Sequence, residues 1–421
     1  MTNQGSGTDA RRRGGWLPDA ESVLAWVQDL RAKIADAGDE APWHPVMGEF
    51  QDLLARDALV RMQLERMITE VPDGPGHPDR HVRDLPEMLR MLNAVLTTAP
   101  EYSQDSMVMT PVQALLDQTT ATPSGLEAYR NPTVNAMLGK VLAAWCEHLD
   151  SHASLSVLND SEAGWMSEHA AATIGIDQYQ HDPEAEYWGF TSWNDFFTRR
   201  FREGQRPVEA PDDDTVVVSA CESTPYALAR DVQRTDEFWL KSQPYSLQDM
   251  LAGDPAVDEL VGGTVYQAYL SATDYHRWHA PVSGTIERAF LVGGTYFSDA
   301  DTEGADAAIP QDSQGYMAHV AARAVILIRA DEPALGLVAA VFVGMADVSS
   351  CVIDEAITPG ARVAKGDELG FFQFGGSTMC LVFGPGAITD IAHQALPRDQ
   401  VAPTLVHVCS RIATAATDPP R

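Results

Sequence analysis

The chain has 421 residues, 45% of them hydrophobic, which exceeds what one ordinary domain needs, so two structural units are expected. Sixty acidic against 29 basic residues leave a formal charge of −31; such a surface repels phosphate backbones and anionic bilayers, which argues against nucleic-acid partners and against unaided membrane docking. Five scattered cysteines, Cys146, Cys221, Cys351, Cys380 and Cys409, form no Cys-x-x-Cys pair, so neither a disulfide framework nor a zinc knuckle is indicated and a reducing, cytoplasmic compartment is expected.

In chain order, residues 1–19 carry Arg11-Arg12-Arg13, but Gly14 and Gly15 follow where a signal peptide needs an apolar core. They read as a disordered tail. No apolar run approaches the roughly 20 residues that span a bilayer, and no stable membrane insertion is expected.

Residues 20–180 read as a helical N-terminal domain. Val23, Trp26, Val27, Leu30 and Ile34 share one helical face, and Gly38 supplies a stop. Phe50, Leu53, Leu54, Val60, Leu64, Met67 and Ile68 mark a second helix. Asp84 with Glu87 reads as a capping box ahead of Leu85, Met88, Leu89, Leu92 and Leu96. Asn131-Pro132 opens a helix with Val134, Met137, Leu138, Val141, Leu142 and Trp145 on its apolar face. These stripes are core, and the plausible task of this half is to cover or shape a pocket.

Residues 181–421 change character. Tyr187, Trp188, Phe190, Trp193, Phe196, Phe197 and Phe201 lead into Arg199, Arg200 and Arg202, an aromatic helix seated on a sheet. From 215 onward short apolar runs alternate with Gly and Pro turns, the rhythm of an antiparallel β-rich barrel or sandwich. The fold class is therefore α+β, a helical domain followed by a β-rich catalytic domain.

Chemistry concentrates in two stretches. In Gly375-Gly376-Ser377-Thr378 the glycines permit a strained turn with an open carbonyl, and Ser377 is the adjacent nucleophile. Attack on the Gly376 carbonyl converts the amide to an ester; elimination then leaves dehydroalanine, which hydrolyses to a pyruvoyl group and ammonia. A hydroxyl needs a base, and His276 and His279 are the candidates. Three residues apart on an extended segment, they face opposite sides unless the backbone turns.

Tyr275-His276-Arg277-Trp278-His279-Ala280-Pro281 resembles the histidine motif of phosphatidylserine decarboxylases, and Gly376-Ser377-Thr378 resembles their cleavage motif. The resemblance extends through Ser192 to Phe201, Val338 to Gly344 and Val363 to Gly370. It implies that Ser377 becomes a pyruvoyl group and no dissociable cofactor is needed, that His279 belongs to a cleavage triad, and that His276 serves decarboxylation. The cleaved chains 1–376 and 377–421 are expected to stay associated. Where that family carries a triad aspartate, this chain has Ala220-Cys221-Glu222-Ser223, and Glu222 is placed in the role. Soluble L-tryptophan decarboxylases related to the family look similar, with Cys-Glu-Ser there and a helical extension in front.

By that resemblance the substrate is a free, aromatic L-amino acid decarboxylated through a Schiff base, with phosphatidylserine as the alternative. Trp278, Tyr296, Phe297 and Phe374 are candidate pocket walls. Other readings have specific weaknesses. A serine hydrolase could use Ser377, His279 and Glu222, but its Gly-x-Ser-x-Gly elbow is missing. A carrier domain is suggested by Thr358 to Asp367, yet Lys365 precedes Gly366 as a turn former. Asp299 to Gly304 begins like a calcium loop, but its twelfth position is Pro310. Zinc on His276 and His279, with Asp274 or Glu222, has no recognisable spacing elsewhere. No metal is expected.

Overall fold

The computed structural model describes residues 20–38, 42–72, 79–104, 108–120, 122–236, 245–299, 313–348, 350–397 and 404–416. The tail 1–19 and most of the acidic loop after Asp299 lie outside them.

The N-terminal half is helical: α1 (Ala20–Ala37), α2 (Pro45–Arg56), α3 (Ala58–Glu70), α4 (Leu85–Val95), α5 (Pro111–Thr120), α6 (Pro123–Ala128), α7 (Pro132–Leu149), α8 (Glu168–Ile174) and the short aromatic α9 (Trp193–Phe197). Side-chain caps set several of their starts. Asn131 accepts from the Thr133 amide with Pro132 at the first helical position of α7, and Asp84 accepts from the Glu87 amide at 2.7 Å. The expected second helix is two. Asp57, in an extended conformation, ends α2 and caps α3 by accepting from the Leu59 and Val60 amides. The capping box at Asp84 is also half-formed, because the Glu87 carboxylate goes to Arg83 and Arg31.

The strands are β1 (Val216–Val218), β2 (Thr224–Arg230), β3 (Thr264–Leu270), β4 (Arg277–His279), β5 (Gly284–Val292), β6 (Arg323–Ala330), β7 (Leu337–Gly344), β8 (Ser350–Ile353), β9 (Arg362–Val363), β10 (Glu368–Gln373), β11 (Ser377–Phe383), β12 (Ile388–Ile391) and β13 (Arg411–Ala415). A seven-stranded antiparallel sheet runs β2-β3-β11-β7-β6-β5-β9 and stays open, so of the expected barrel or sandwich the barrel does not close. Two three-stranded sheets, β1-β13-β12 and β4-β10-β8, complete a sandwich-like arrangement.

β3, β7 and β11 are buried along their whole length because both sheet faces are covered; β7 is apolar throughout, while β3 carries Thr264 and Gln267 and β11 opens with Ser377-Thr378. Ala268, Leu270, Phe342, Met379 and Leu381 pack with Trp278 and Phe372 on one face. Val325, Val341, Val343, Cys380 and Val382 pack with Leu247, Met250 and Met317 on the other. The helical core is continuous with Tyr275, Phe297 and Phe374, so the helices close over the segment that carries the two motifs.

Candidate active site

Ser377 opens β11 and lies in register between Leu270 of β3 and Gly344 of β7. It is fully buried, and its hydroxyl has no hydrogen-bond partner among the described residues. An unpartnered hydroxyl in a dry interior costs free energy.

The residue before it is held by its backbone. The Gly376 amide donates to the Ala346 carbonyl at 2.8 Å, and the Met345 amide donates to the Gly376 carbonyl at 3.0 Å. Met345 thus aims a backbone donor at the oxygen on which charge would develop if Ser377 attacked, the arrangement of an oxyanion hole. Gly375 has φ 130, and a Cβ there would lie 2.1 Å from the Ala346 carbonyl oxygen. Only glycine fits this close passage of two backbones.

His276 and His279 do face different surroundings. His276 is buried and stacks on Phe197, with ring centroids 4.1 Å apart. Its Nδ1 donates to the Asp274 carbonyl at 3.0 Å, so the neutral ring carries its lone pair on Nε2, an atom without a hydrogen-bond partner among the described residues. Burial first, then the Arg199 charge, pull its pKa down to about 3; the Asp274 and Gly375 carbonyls oppose this, the latter without completing a hydrogen bond. His276 is thus a neutral base beside the Gly-Gly segment.

His279 uses both ring nitrogens. Nδ1 donates to the Gly366 carbonyl at 2.7 Å, and Nε2 accepts from the Tyr275 hydroxyl at 2.9 Å. Burial lowers its pKa against the pull of Gly366. Its amide bonds the Ala220 carbonyl at 2.8 Å, bringing the Glu222 segment alongside, yet among the described residues no hydrogen bond joins the Glu222 and His279 side chains. Glu222 instead accepts from Arg206, from His407 Nδ1 at 2.7 Å and from the Val408 amide at 2.8 Å. Burial would raise its pKa, but the His407 and Arg206 hydrogen bonds and the Arg206 charge hold it below the usual carboxylate range.

Phe374 is enclosed by Trp145 of α7 at 5.3 Å, Trp193 of α9 at 5.6 Å and Phe197 at 4.9 Å. Phe297 meets Tyr129 at 6.4 Å. Trp278 stacks flat on Phe342, 4.2 Å between centroids, within the core of the sheet. Lys365 donates its ammonium to the carbonyls of Ala210, Asp213 and Val216, a structural use that removes it as a carrier lysine.

Sequence reasoning passed over Arg206, His407, Met345 and Asp347. The first two carry no motif, and a backbone amide such as that of Met345 has no residue-type signature at all.

These residues fit a pyruvoyl group formed in place: an orphaned serine hydroxyl, a glycine cradle and a polarised carbonyl supply what its formation from the chain needs. Comparison with known proteins places the chain among decarboxylases. A phosphatidylserine decarboxylase model matches residues 193–402, and a second of that description matches 44–174. The chain is 37% identical over 344 residues to decarboxylase iboD of Amanita muscaria, covering 77% of this chain and 92% of that one. It is 32% identical over 397 residues to an L-tryptophan decarboxylase of Psilocybe cubensis, covering 88% of each. Phosphatidylserine decarboxylase proenzyme 3 of Schizosaccharomyces pombe is 30% identical over 210 residues, half of this chain but 20% of that one. The matches thus span the helical as well as the β-rich half, and the chain belongs to the phosphatidylserine decarboxylase family of pyruvoyl-dependent carboxy-lyases.

Proposed function

We propose that this enzyme cuts itself between Gly376 and Ser377 and then decarboxylates a free aromatic L-amino acid of the tryptophan type. The observation that carries the first half is the pairing of a buried, unpartnered Ser377 hydroxyl with a Gly376 carbonyl held by the Met345 amide. Ser377 Oγ adds to that carbonyl carbon, and the bond to the residue 377 nitrogen breaks as the nitrogen takes a proton. A base then removes the 377 α-proton, and the Oγ–Cβ bond breaks to release the Gly376 carboxylate. Addition of water and loss of ammonia leave the pyruvoyl group. No oxidant is consumed.

The pyruvoyl carbonyl supplies an electron sink for the pair left behind when carbon dioxide departs, so no dissociable cofactor is required. His276 returns the proton to the former α-carbon, as the resemblance implies: the lone pair on its Nε2, unpartnered among the described residues, first takes a proton from the substrate's ammonium group and then delivers it. For His279 to serve cleavage it must exchange the Tyr275 hydroxyl for that of Ser377. Glu222 would then act on its surroundings through Arg206 and His407 rather than on the imidazole itself.

After the cut, residues 377–421 stay bound. β11 is hydrogen-bonded between β3 and β7, β13 pairs with β1, and Glu222 holds His407 and Val408.

Coverage of the L-tryptophan decarboxylase over both halves of the chain supports an aromatic amino acid over a lipid. No helix among the described residues is long and apolar enough to cross a membrane, and with the charge of −31 we assign a cytoplasmic location. Carbon dioxide release from L-tryptophan, other amino acids and phosphatidylserine micelles tests the substrate: turnover on phosphatidylserine alone would overturn it.

A further inference from the structure

One side chain ties the helical half to the cleavage segment. The turn Met345–Val348 follows β7 and closes with the Val348 amide donating to the Met345 carbonyl at 3.3 Å. Asp347 sits in this turn at φ 62, a left-handed conformation that aspartate tolerates better than most residues. The buried Asp347 carboxylate accepts from the Val112 amide at 3.0 Å and the Gln113 amide at 2.7 Å. These belong to the first turn of α5, whose amides have no intrahelical acceptor. The cap therefore comes from a residue some 235 positions away, in the same turn whose Met345 amide and Ala346 carbonyl hold Gly376.

We propose that Asp347 is a positioning residue for self-cleavage: by binding the first turn of α5 it fixes the Met345–Val348 turn, so that the Met345 amide is aimed at the Gly376 carbonyl when Ser377 attacks. This rests on the self-cleaving reading. In the step concerned the Oγ–carbon bond forms, the carbonyl pair moves onto the Gly376 oxygen, and the hydroxyl proton passes to a neighbouring base. The helical half then acts as a maturation element in cis, because the chain cannot cut itself until α5 has docked.

The test follows full-length wild type, D347N and D347A by intact mass after denaturation, with neutral hydroxylamine added to capture the ester. D347N keeps one acceptor oxygen and turns an amide NH2 toward the other backbone amide; it is expected to fold with wild-type helix content and to cleave about tenfold more slowly. D347A is expected to cleave about a hundredfold more slowly, the scale of losing one oxyanion donor, with no hydroxylamine-dependent cut. Maturation of D347N within threefold of wild type overturns the proposal even if D347A fails to fold. Slow cleavage of D347N together with lost helical signal also overturns it, because the defect is then one of folding. A wild-type chain that stays in one piece instead sinks the self-cleaving reading on which the proposal stands.

Discussion

The Met345 amide and the Gly376 carbonyl are hydrogen-bonded at 3.0 Å across the ends of two neighbouring strands. Gly375 makes this approach possible, since a methyl group there would meet the Ala346 carbonyl oxygen at 2.1 Å in a backbone conformation that other residues rarely adopt. Gly375→Ala should therefore displace the scissile carbonyl from its donor. Loss of one such donor slows attack about 10²–10³-fold, and intact mass should show the 421-residue precursor persisting, as it should for Ser377→Ala. A Gly375→Ala chain that matures at the normal rate contradicts the geometry.

The two histidines should separate. His276→Ala is expected to mature into fragments of 376 and 421 − 376 = 45 residues yet lose at least about a hundredfold in turnover, the range for removing a general acid or base. His279→Ala is expected to remain uncut. Mass spectrometry paired with carbon dioxide assays reads both, and a His276→Ala chain that cannot cut itself would reverse the assignment.

Glu222 is expected to matter for holding the fragments together. Its carboxylate and Arg206 are both largely buried, with side-chain exposures of 3% and 13%; removing one partner of a buried ion pair costs about 3–5 kcal/mol. Glu222→Ala should lower the denaturation midpoint and release residues 377–421 at lower urea than wild type. Unchanged urea midpoints would show that the β1–β13 and β3–β11–β7 ladders suffice alone.

His319 offers a pH test free of the cleavage chemistry. Its Nε2 accepts from the Ser246 amide at 2.9 Å, and burial pulls its pKa down to about 4. Between pH 6.5 and 4 the unfolded chain binds a proton here that the folded chain refuses, so the stability owed to neutral His319 is present above 6.5 and lost as the pH falls. Burial holds Asp274 and Asp347 up near 7, and these carboxylates act in the opposite sense. The comparison must therefore isolate one group: in a Ser377→Ala background, the stability advantage of His319 over His319→Gln should shrink by up to about 1.4 kcal/mol per pH unit across that window. An advantage independent of pH would contradict a neutral, buried His319.

The sequence by itself determined the local and the chemical. Apolar periodicity placed α1 and α7, Asn131-Pro132 and Asp84 placed helix starts, and short apolar runs between Gly and Pro turns announced strands, because these signals act within a few residues of one another. The Gly-Gly-Ser-Thr segment was legible for the same reason: nucleophile, scissile carbonyl and permissive glycines are adjacent. Tertiary structure decided the rest. It left the seven-stranded sheet open, gave Glu222 to Arg206 and His407, engaged both ring nitrogens of His279, and set Asp347 on α5. His407 lies 185 residues from Glu222, Gly366 87 from His279 and Val112 235 from Asp347, and the donor that polarises the Gly376 carbonyl is a backbone amide, a group every residue but proline carries, so only the path of the chain could say which one would be there.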